Sequence, residues 1–416
     1  MTKYLTLDNI TFAMANLNQL VFEVTDACNL QCRYCAYGDL YDDHDKREDK
    51  MLSAEKAIRL IDYLAEFWKS KINTSSQRKV YISFYGGEPL INMPFIETVV
   101  DYVENKLNCT NRSFKFSMTT NAILLDRYMD FLQKHEFYLL ISLDGNKENT
   151  GYRVDKSGHP AFERIVNNVD ALQKKYPEYF KEYVNFNAVL HNKNSVEEIY
   201  RFFKEKYDKI PSIGELNNMG IRSDKQAEFN ATYRNTQESL RQSENYEEIE
   251  KDMFINTGNY RSLTLFLHQY SGFVYKDYPD LLFAKDEKQA ILPSGTCVPF
   301  SKKMYVTVNG KILPCERIGH QFALGEVTDT EIKLDAEAIA NKYNEYYAKM
   351  EKQCSSCKNT KACIQCVFNL NDLENKPVCH GYMSEKDFQN YVGTQMEFLA
   401  KHPEAYKKIM EEVIVV

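Results

Sequence analysis

The sequence predicts an α/β protein with a parallel sheet, followed by a cysteine-rich segment. Two observations carry this expectation. From about residue 19 to 215, short β-branched and aromatic runs bounded by turn residues alternate with amphipathic helical stretches. The 11 cysteines are also grouped: Cys28, Cys32 and Cys35, then Cys297, Cys315, Cys354, Cys357, Cys363, Cys366 and Cys379, with Cys109 alone. At about 100–200 residues per domain, 416 residues allow two to four domains. With 44% hydrophobic and 27% charged residues, wholesale disorder is excluded.

The expected strands, in order, are LVFEVT (20–25), VYISFY (80–85), FKFSMTT (114–120), FYLLISLD (137–144) and YVNFNAVL (183–190). The first long helix, 53–70, opens at Ser53 and gathers Ile58, Leu60, Ile61, Leu64 and Phe67 near one face, with Trp68 in the core. Helical patterns follow at 93–107, 123–135, 162–176 and 195–207. Repeated strand–helix units imply right-handed crossovers in an open sheet or a barrel. Residues 216–290 break this rhythm and read as a bridge or a substrate-facing insertion, with the charged run 238–253 as a solvated helix. KMYVTVNGKILPC (303–315) reads as a hairpin turning at Asn309-Gly310 in a type I′ turn. Residues 384–413 read as helical.

Lys+Arg 52 against Asp+Glu 59 leaves a formal charge of −7, which argues against gripping nucleic acid or an anionic membrane. No apolar run approaches the roughly 18 residues of a membrane span, and residues 1–20 lack a secretory pattern. A cytoplasmic location is expected. In that reducing compartment clustered cysteines bind metal or do catalysis, and do not form structural disulfides.

Cys28, Cys32 and Cys35 follow the first strand directly. Offsets of 0, 4 and 7 also suit a buried helix face, but the polar run TDACNLQCRYCAYGDLYDD reads as a loop. Zinc would lack a nearby fourth ligand. Three thiolates suit three corners of a cubane iron–sulfur cluster, leaving one iron open.

This CxxxCxxC, with Tyr34 before its last cysteine, resembles the radical S-adenosylmethionine superfamily. The resemblance implies that the open iron binds S-adenosylmethionine, whose one-electron cleavage yields a 5′-deoxyadenosyl radical that abstracts hydrogen from substrate. It places Tyr34 near the adenine. Gly86-Gly87-Glu88-Pro89, ending the second strand, resembles the GGEP motif that binds the methionine amino group. Thr119-Thr120-Asn121 resembles a TNG-like sequence at strand three. Ser142-Leu143-Asp144-Gly145 resembles the SLDG segment, with Arg153 at the downstream basic position. Taken singly, each of these is a turn or a cap; strand ends are also where barrel enzymes keep their chemistry.

The later cysteines resemble the SPASM domain of peptide-modifying radical enzymes, which carries auxiliary clusters. By that resemblance Cys354, Cys357, Cys363 and Cys379 close one cluster, and Cys297, Cys315 and Cys366 hold another, making three in all. As zinc, seven thiolates would have to be shared between sites. Two residues separate Cys363 from Cys366 where three are usual, and QAILPSGT lacks the eighth cysteine of some relatives, which leaves the second auxiliary cluster a candidate for an open iron. Glu316, directly after Cys315, stands where related anaerobic sulfatase-maturating enzymes carry a proton-accepting aspartate; it is either a general base or a surface residue after a turn. Cys109 and His191 read as ordinary loop residues.

The resemblance covers about 19–215 and 291–382. It implies a partial (β/α)6 TIM-type barrel followed by a small SPASM iron–sulfur domain, with an extension at 1–18 too short for a leader-binding domain and a helical segment at 383–416. The function expected is a radical S-adenosylmethionine maturase that installs a thioether or carbon–carbon crosslink on a ribosomally made precursor peptide, with electrons from a flavodoxin or ferredoxin. Formylglycine formation and epimerisation are the enzymatic alternatives. A non-catalytic iron–sulfur or zinc-binding adaptor is the alternative of another class, disfavoured by the intact triplet and GGEP.

Overall fold

The computed structural model describes residues 4–74, 79–109, 112–270 and 292–413. Six strands, β1 (Gln19–Thr25), β2 (Lys79–Gly86), β3 (Ser113–Thr120), β4 (Tyr138–Ser142), β5 (Val184–Val189) and β6 (Ser212–Gly214), lie side by side in sequence order. All their pairings are parallel. The sheet continues beyond β1 through β7 (Met304–Val306), β8 (Lys311–Leu313), β9 (Gly325–Val327) and β10 (Ile332–Leu334). β7 runs parallel to β1, and the rest are antiparallel. β6 and β10 are the two ends of the order, so the sheet is an open, partial barrel.

The register explains the alternation in the strands. Leu20 and Phe22 stand across from Ile82 and Phe84, then Phe116 and Met118, Leu139 and Ile141, and Val184 and Phe186. This face is buried and packs on helices, with Phe95 edge-on to Phe22 at 6.0 Å and Phe203 4.6 Å from Phe186. The opposite face carries Gln19, Glu23, Ser83, Tyr85, Ser117, Thr119 and Ser142. There Gln19 Nε2 donates to Ser83 Oγ at 2.9 Å and Ser83 lies 2.6 Å from Ser117.

The helix Ala54–Lys69 is capped by Ser53 Oγ, which accepts from Lys56 N at 3.3 Å. It buries Ala57, Leu60, Ile61, Leu64 and Trp68, leaving Ile58 and Phe67 on the flanks of the expected face. The 238–253 run forms two short helices, Thr236–Arg241 and Tyr246–Met253, where one was expected. Residues 303–315 form the expected hairpin with a different turn. Asn309 is not left-handed, Gly310 has φ +86°, and Thr307 N donates to Lys311 O at 2.9 Å. That is a three-residue loop closed by a left-handed glycine, which replaces the type I′ turn. The C-terminal stretch is two helices, Glu385–Lys401 with a Ser384/Asp387 capping box and Pro403–Glu412, divided at Pro403.

The chain divides into two compact units. One comprises residues 7–249 and 298–339 and contains the whole sheet; the other comprises 1–6, 250–297 and 340–416. Part of the expected bridge, 271–290, lies outside the described residues. In the second unit Tyr260, Leu263 and Leu267 of the helix Gly258–Tyr270 share a core with Ala405 and Ile409. No helix among the described residues is long and apolar enough to cross a membrane.

Candidate active site

The triplet lies in an irregular loop after β1, as its polar composition predicted. Thr25 Oγ1 donates to Lys50 O at 2.7 Å and accepts from Ala27 N at 3.0 Å, turning the chain out of the strand. Gln31 N donates to Val154 O at 2.7 Å and Arg33 N to Tyr152 O at 3.2 Å, tying the loop to the segment after β4.

The GGEP segment fits beneath this loop because two residues lack side chains. Gly86 has φ +124°, and a Cβ on Gly87 would lie 2.0 Å from Ala27 O. Gly87 N and Glu88 N donate to Thr25 O and Ala27 O. Glu88 itself faces inward. Its carboxylate accepts from Thr120 Oγ1 at 2.7 Å, Asn121 N at 2.7 Å and Leu90 N at 3.1 Å, and caps the helical turn opened by Pro89. Burial pushes it up to about 7 against the pull of these donors. Glu88 therefore braces β2 against β3. Asn121 Nδ2 reaches Asn29 Oδ1 at 2.8 Å and Cys28 Sγ at 3.7 Å. Thr119 and Ser142 end β3 and β4 half-buried on the polar face.

Asp144 organises the other side of the triplet. It is fully buried and takes a bidentate pair from Arg153, Nε at 3.0 Å and Nη2 at 2.9 Å, with Val189 N at 3.0 Å and Tyr34 Oη. Burial opposes its charge, yet Arg153 outweighs it and holds the carboxyl down at about 2. Tyr34 stacks on His191 at 5.5 Å, and His191 is buried with Asn194 and the Lys193 amide as partners. His191 is thus a satisfied core histidine.

Arginines approach two of the thiols: Arg47 Nη2 lies 3.9 Å from Cys35 Sγ, and Arg153 Nη1 4.0 Å from Cys32 Sγ. Burial pushes the Cys28 and Cys32 thiols up to about 11 and about 12, so they ionise only beside added positive charge. Among the described residues, buried Arg47 Nε and Asn29 Nδ2 have no hydrogen-bond partner. A thiol triplet approached by two arginines, with buried donors left unpaired on Arg47 and Asn29, fits an anionic iron–sulfur group. Among the described residues no three His, Cys, Asp or Glu side chains converge to hold a single ion; a cubane presents separate corners to its ligands.

Glu316 lies in the same unit. Lys303 Nζ donates to its Oε1 at 3.0 Å, and the Cys315 thiol lies 3.7 Å from Oε2. Burial raises this carboxyl, but Lys303 and Arg317 hold it below its usual value, and its charge acts on Tyr85 at the end of β2. Glu23, Tyr37, Arg47 and Tyr305 also gather here: Tyr37 Oη lies 2.9 Å from Tyr305 Oη, and Val308 N donates to Glu23 Oε2 at 2.8 Å. Sequence reasoning missed these four. Glu23 inside the apolar run LVFEVT was a visible signal, whereas Arg47 in HDKREDK was not.

In the second unit Cys354, Cys357, Cys363 and Cys379 line one pocket with Ser294 and Tyr382. Gln353 Oε1 accepts from Cys379 N at 3.1 Å, and Met383 N approaches Cys357 Sγ at 3.5 Å. Cys297 and Cys366 lie in the same unit, and Cys315 belongs to the first. Cys109 is buried apart from both cysteine groups in sequence.

Residues 22–205 match the family model described as the Radical SAM superfamily. This stretch of the chain is a radical SAM domain. The chain is 25% identical over 396 residues to the cysteine-type anaerobic sulfatase-maturating enzyme of Clostridium perfringens, covering 91% of this chain and 96% of the relative. It is 31% identical over 197 residues to the enzyme of that name from Clostridium novyi, covering 46% of this chain and 49% of the relative. In fold it is similar to anSMEcpe solved with AdoMet and the Kp18Cys peptide, with TM-score 0.58 and 19% identity over 94% of this chain and 98% of that one. S-adenosylmethionine and a four-iron cluster are the cofactors a radical SAM domain implies. The triplet, with Arg47, Asn121 and Arg153 around it, are the residues that would hold them.

Proposed function

We propose that the protein is a radical SAM peptide maturase that oxidises one side chain of a precursor peptide by two electrons. When bound, the cluster and S-adenosylmethionine supply the one-electron chemistry that abstracts a hydrogen atom. The chain's own residues do the rest. The loop of 26–35 and Gly86-Gly87 shape the cofactor cradle, and the Asp144–Arg153 pair fixes Tyr34 beside it. Glu316 takes the substrate proton. The observation that carries this reading is Glu316 itself, a mostly buried carboxylate kept ionised by Lys303 at 3.0 Å, beside Cys315.

Among two-electron oxidations, likeness over nearly the whole length to a cysteine-type sulfatase-maturating enzyme favours conversion of a cysteine or serine to formylglycine. The missing eighth cysteine favours a crosslink as the second reading, since an open auxiliary iron would bind a substrate thiolate. Two auxiliary clusters, one at Cys354, Cys357, Cys363 and Cys379, a flavodoxin or ferredoxin donor and a cytoplasmic location belong to the same proposal, as do the segments 19–215 and 291–382.

Anaerobically reconstituted protein with dithionite should form 5′-deoxyadenosine, and the Cys28→Ala/Cys32→Ala/Cys35→Ala variant should not; equal turnover in that variant defeats the reading. Glu316→Gln should lower peptide oxidation by about 10²–10⁴-fold while 5′-deoxyadenosine still forms. Tandem mass spectra divide the products. An aldehyde with linear fragmentation marks formylglycine, a loss of two hydrogens with fragments missing across a ring marks a crosslink, and an unchanged mass marks epimerisation and overturns the proposal.

A further inference from the structure

The helix Ala336–Ser356 carries Tyr343, Tyr347, Met350 and Cys354 at i, i+4, i+7 and i+11, which is one face. Tyr343, Tyr347 and Met350 are fully buried, and the face leads to the four-cysteine pocket at Cys354. The two rings are well packed. Tyr343 stands edge-on to Tyr347 at 6.1 Å and to Phe368 at 5.7 Å, and Tyr347 edge-on to Tyr4 at 5.8 Å. Their hydroxyls are not: among the described residues neither phenol oxygen has a hydrogen-bond partner. An orphaned buried hydroxyl costs about 1–3 kcal/mol, and phenylalanine would fill the same space without that cost.

Phe368, on which Tyr343 packs, lies two residues after Cys366, one of two cysteines outside the four-cysteine pocket. Gly295 N donates to Gln365 O at 3.0 Å and Val367 N to Thr296 Oγ1 at 2.8 Å, which lays Thr296-Cys297 alongside Cys366-Val367. A Cβ on Gly295 would lie 2.0 Å from Cys363 O, so the two segments are in close contact. Burial raises both phenols above their ordinary value, and Cys297 and Cys366 raise each of them further. Each phenol thus keeps an unspent hydroxyl donor in the core that these two segments border.

We propose that Tyr343 and Tyr347 donate their hydroxyl hydrogens to the sulfurs of an auxiliary iron–sulfur group bound at Cys297 and Cys366, holding that group and setting its reduction potential. This rests on the auxiliary-cluster reading above. Hydrogen bonds to sulfur stabilise the more negative, reduced state, so their loss lowers the potential. Both tyrosines are positioning residues, acting through the cluster and not on substrate.

The experiment starts from reconstituted Cys28→Ala/Cys32→Ala/Cys35→Ala protein, which leaves only auxiliary iron, and assigns the relevant signal as the one lost in Cys366→Ala. Tyr343→Phe, Tyr347→Phe and the double variant are compared for iron and sulfide content, for midpoint potential by redox titration followed by electron paramagnetic resonance, and for thermal melting without iron. Either of two results in the cluster-loaded protein supports the proposal: a lower potential at unchanged iron, largest in the double variant, or loss of the assigned signal. In both cases the cluster-free variants must melt no lower than their parent. An unchanged potential and spectrum in the double variant overturns it. So does a lower melting temperature of the cluster-free variants, which would show that the hydroxyls have partners within the protein. Absence of iron and sulfide from the starting variant would instead defeat the auxiliary-cluster reading itself.

Discussion

Two buried carboxylates, Glu23 on β1 and Asp144 just after β4, show how differently one chemical group behaves in this site. Asp144 is matched by the Arg153 fork, and breaking such a buried pair costs about 3–5 kcal/mol. Glu23 has no such partner. Burial dominates and pushes it up to about 7; Val308 N and Arg47 pull it down, with His44 adding to them and Asp26 opposing. A carboxyl raised in the folded state contributes its full stability below its unfolded value near 4.5 and loses it as pH rises toward 7. Wild-type protein should therefore lose about 3 kcal/mol between those limits on this account. Glu23→Gln keeps an oxygen for Val308 N and should remove that loss. Urea midpoints at pH 5 and pH 8 for both proteins provide the check, and parallel pH dependence would contradict the assignment. The glutamate was visible in LVFEVT as an acid in an apolar run, but its burial was not, because it depends on the hairpin turn at Val308.

The elements show which local signals survive folding. Apolar runs foretold where five of the strands lie, and Ser53 foretold a helix start, because both rest on spacings of a few residues. Asn309-Gly310 marked the hairpin and misled on its turn; the glycine alone takes the left-handed conformation, and the loop gains a residue. Gly87 was legible as a motif, while the reason for it needed the packed loop. Its neighbour Ala27 O stands 2.0 Å from where a Cβ would be. Gly87→Ala should shift the triplet loop, cost about 1–3 kcal/mol of stability and weaken S-adenosylmethionine binding. Thermal melting with a binding titration tests this, and wild-type affinity in the variant would show that the close approach is unimportant.

At the scale of the molecule, the open sheet and the cysteine pocket lie in different compact units. Clusters held by different units should then be lost independently. Cys354→Ala/Cys379→Ala should carry about a third less iron than wild type and still cleave S-adenosylmethionine. Iron and sulfide assays beside 5′-deoxyadenosine measurement decide it, and collapse of the triplet's cluster would mean the units do not fold separately. Element order and the open parallel sheet were legible because each strand–helix unit is encoded in one contiguous stretch of chain. Pairing of β7 with β1 was not, since it joins Met304 to Leu20 across the chain.

By itself the sequence determined the strand–helix alternation, the two cysteine groups and the radical SAM domain that holds the first of them. These depend on residue type and short spacing, which a chain carries before it folds. The tertiary structure alone decided that Glu88 turns inward to Thr120 and Asn121, that Arg47 reaches Cys35, and that Lys303 holds Glu316 ionised. Charge in a low-dielectric interior is governed by whichever partner lies within a few ångströms, and distance along the chain says nothing about that.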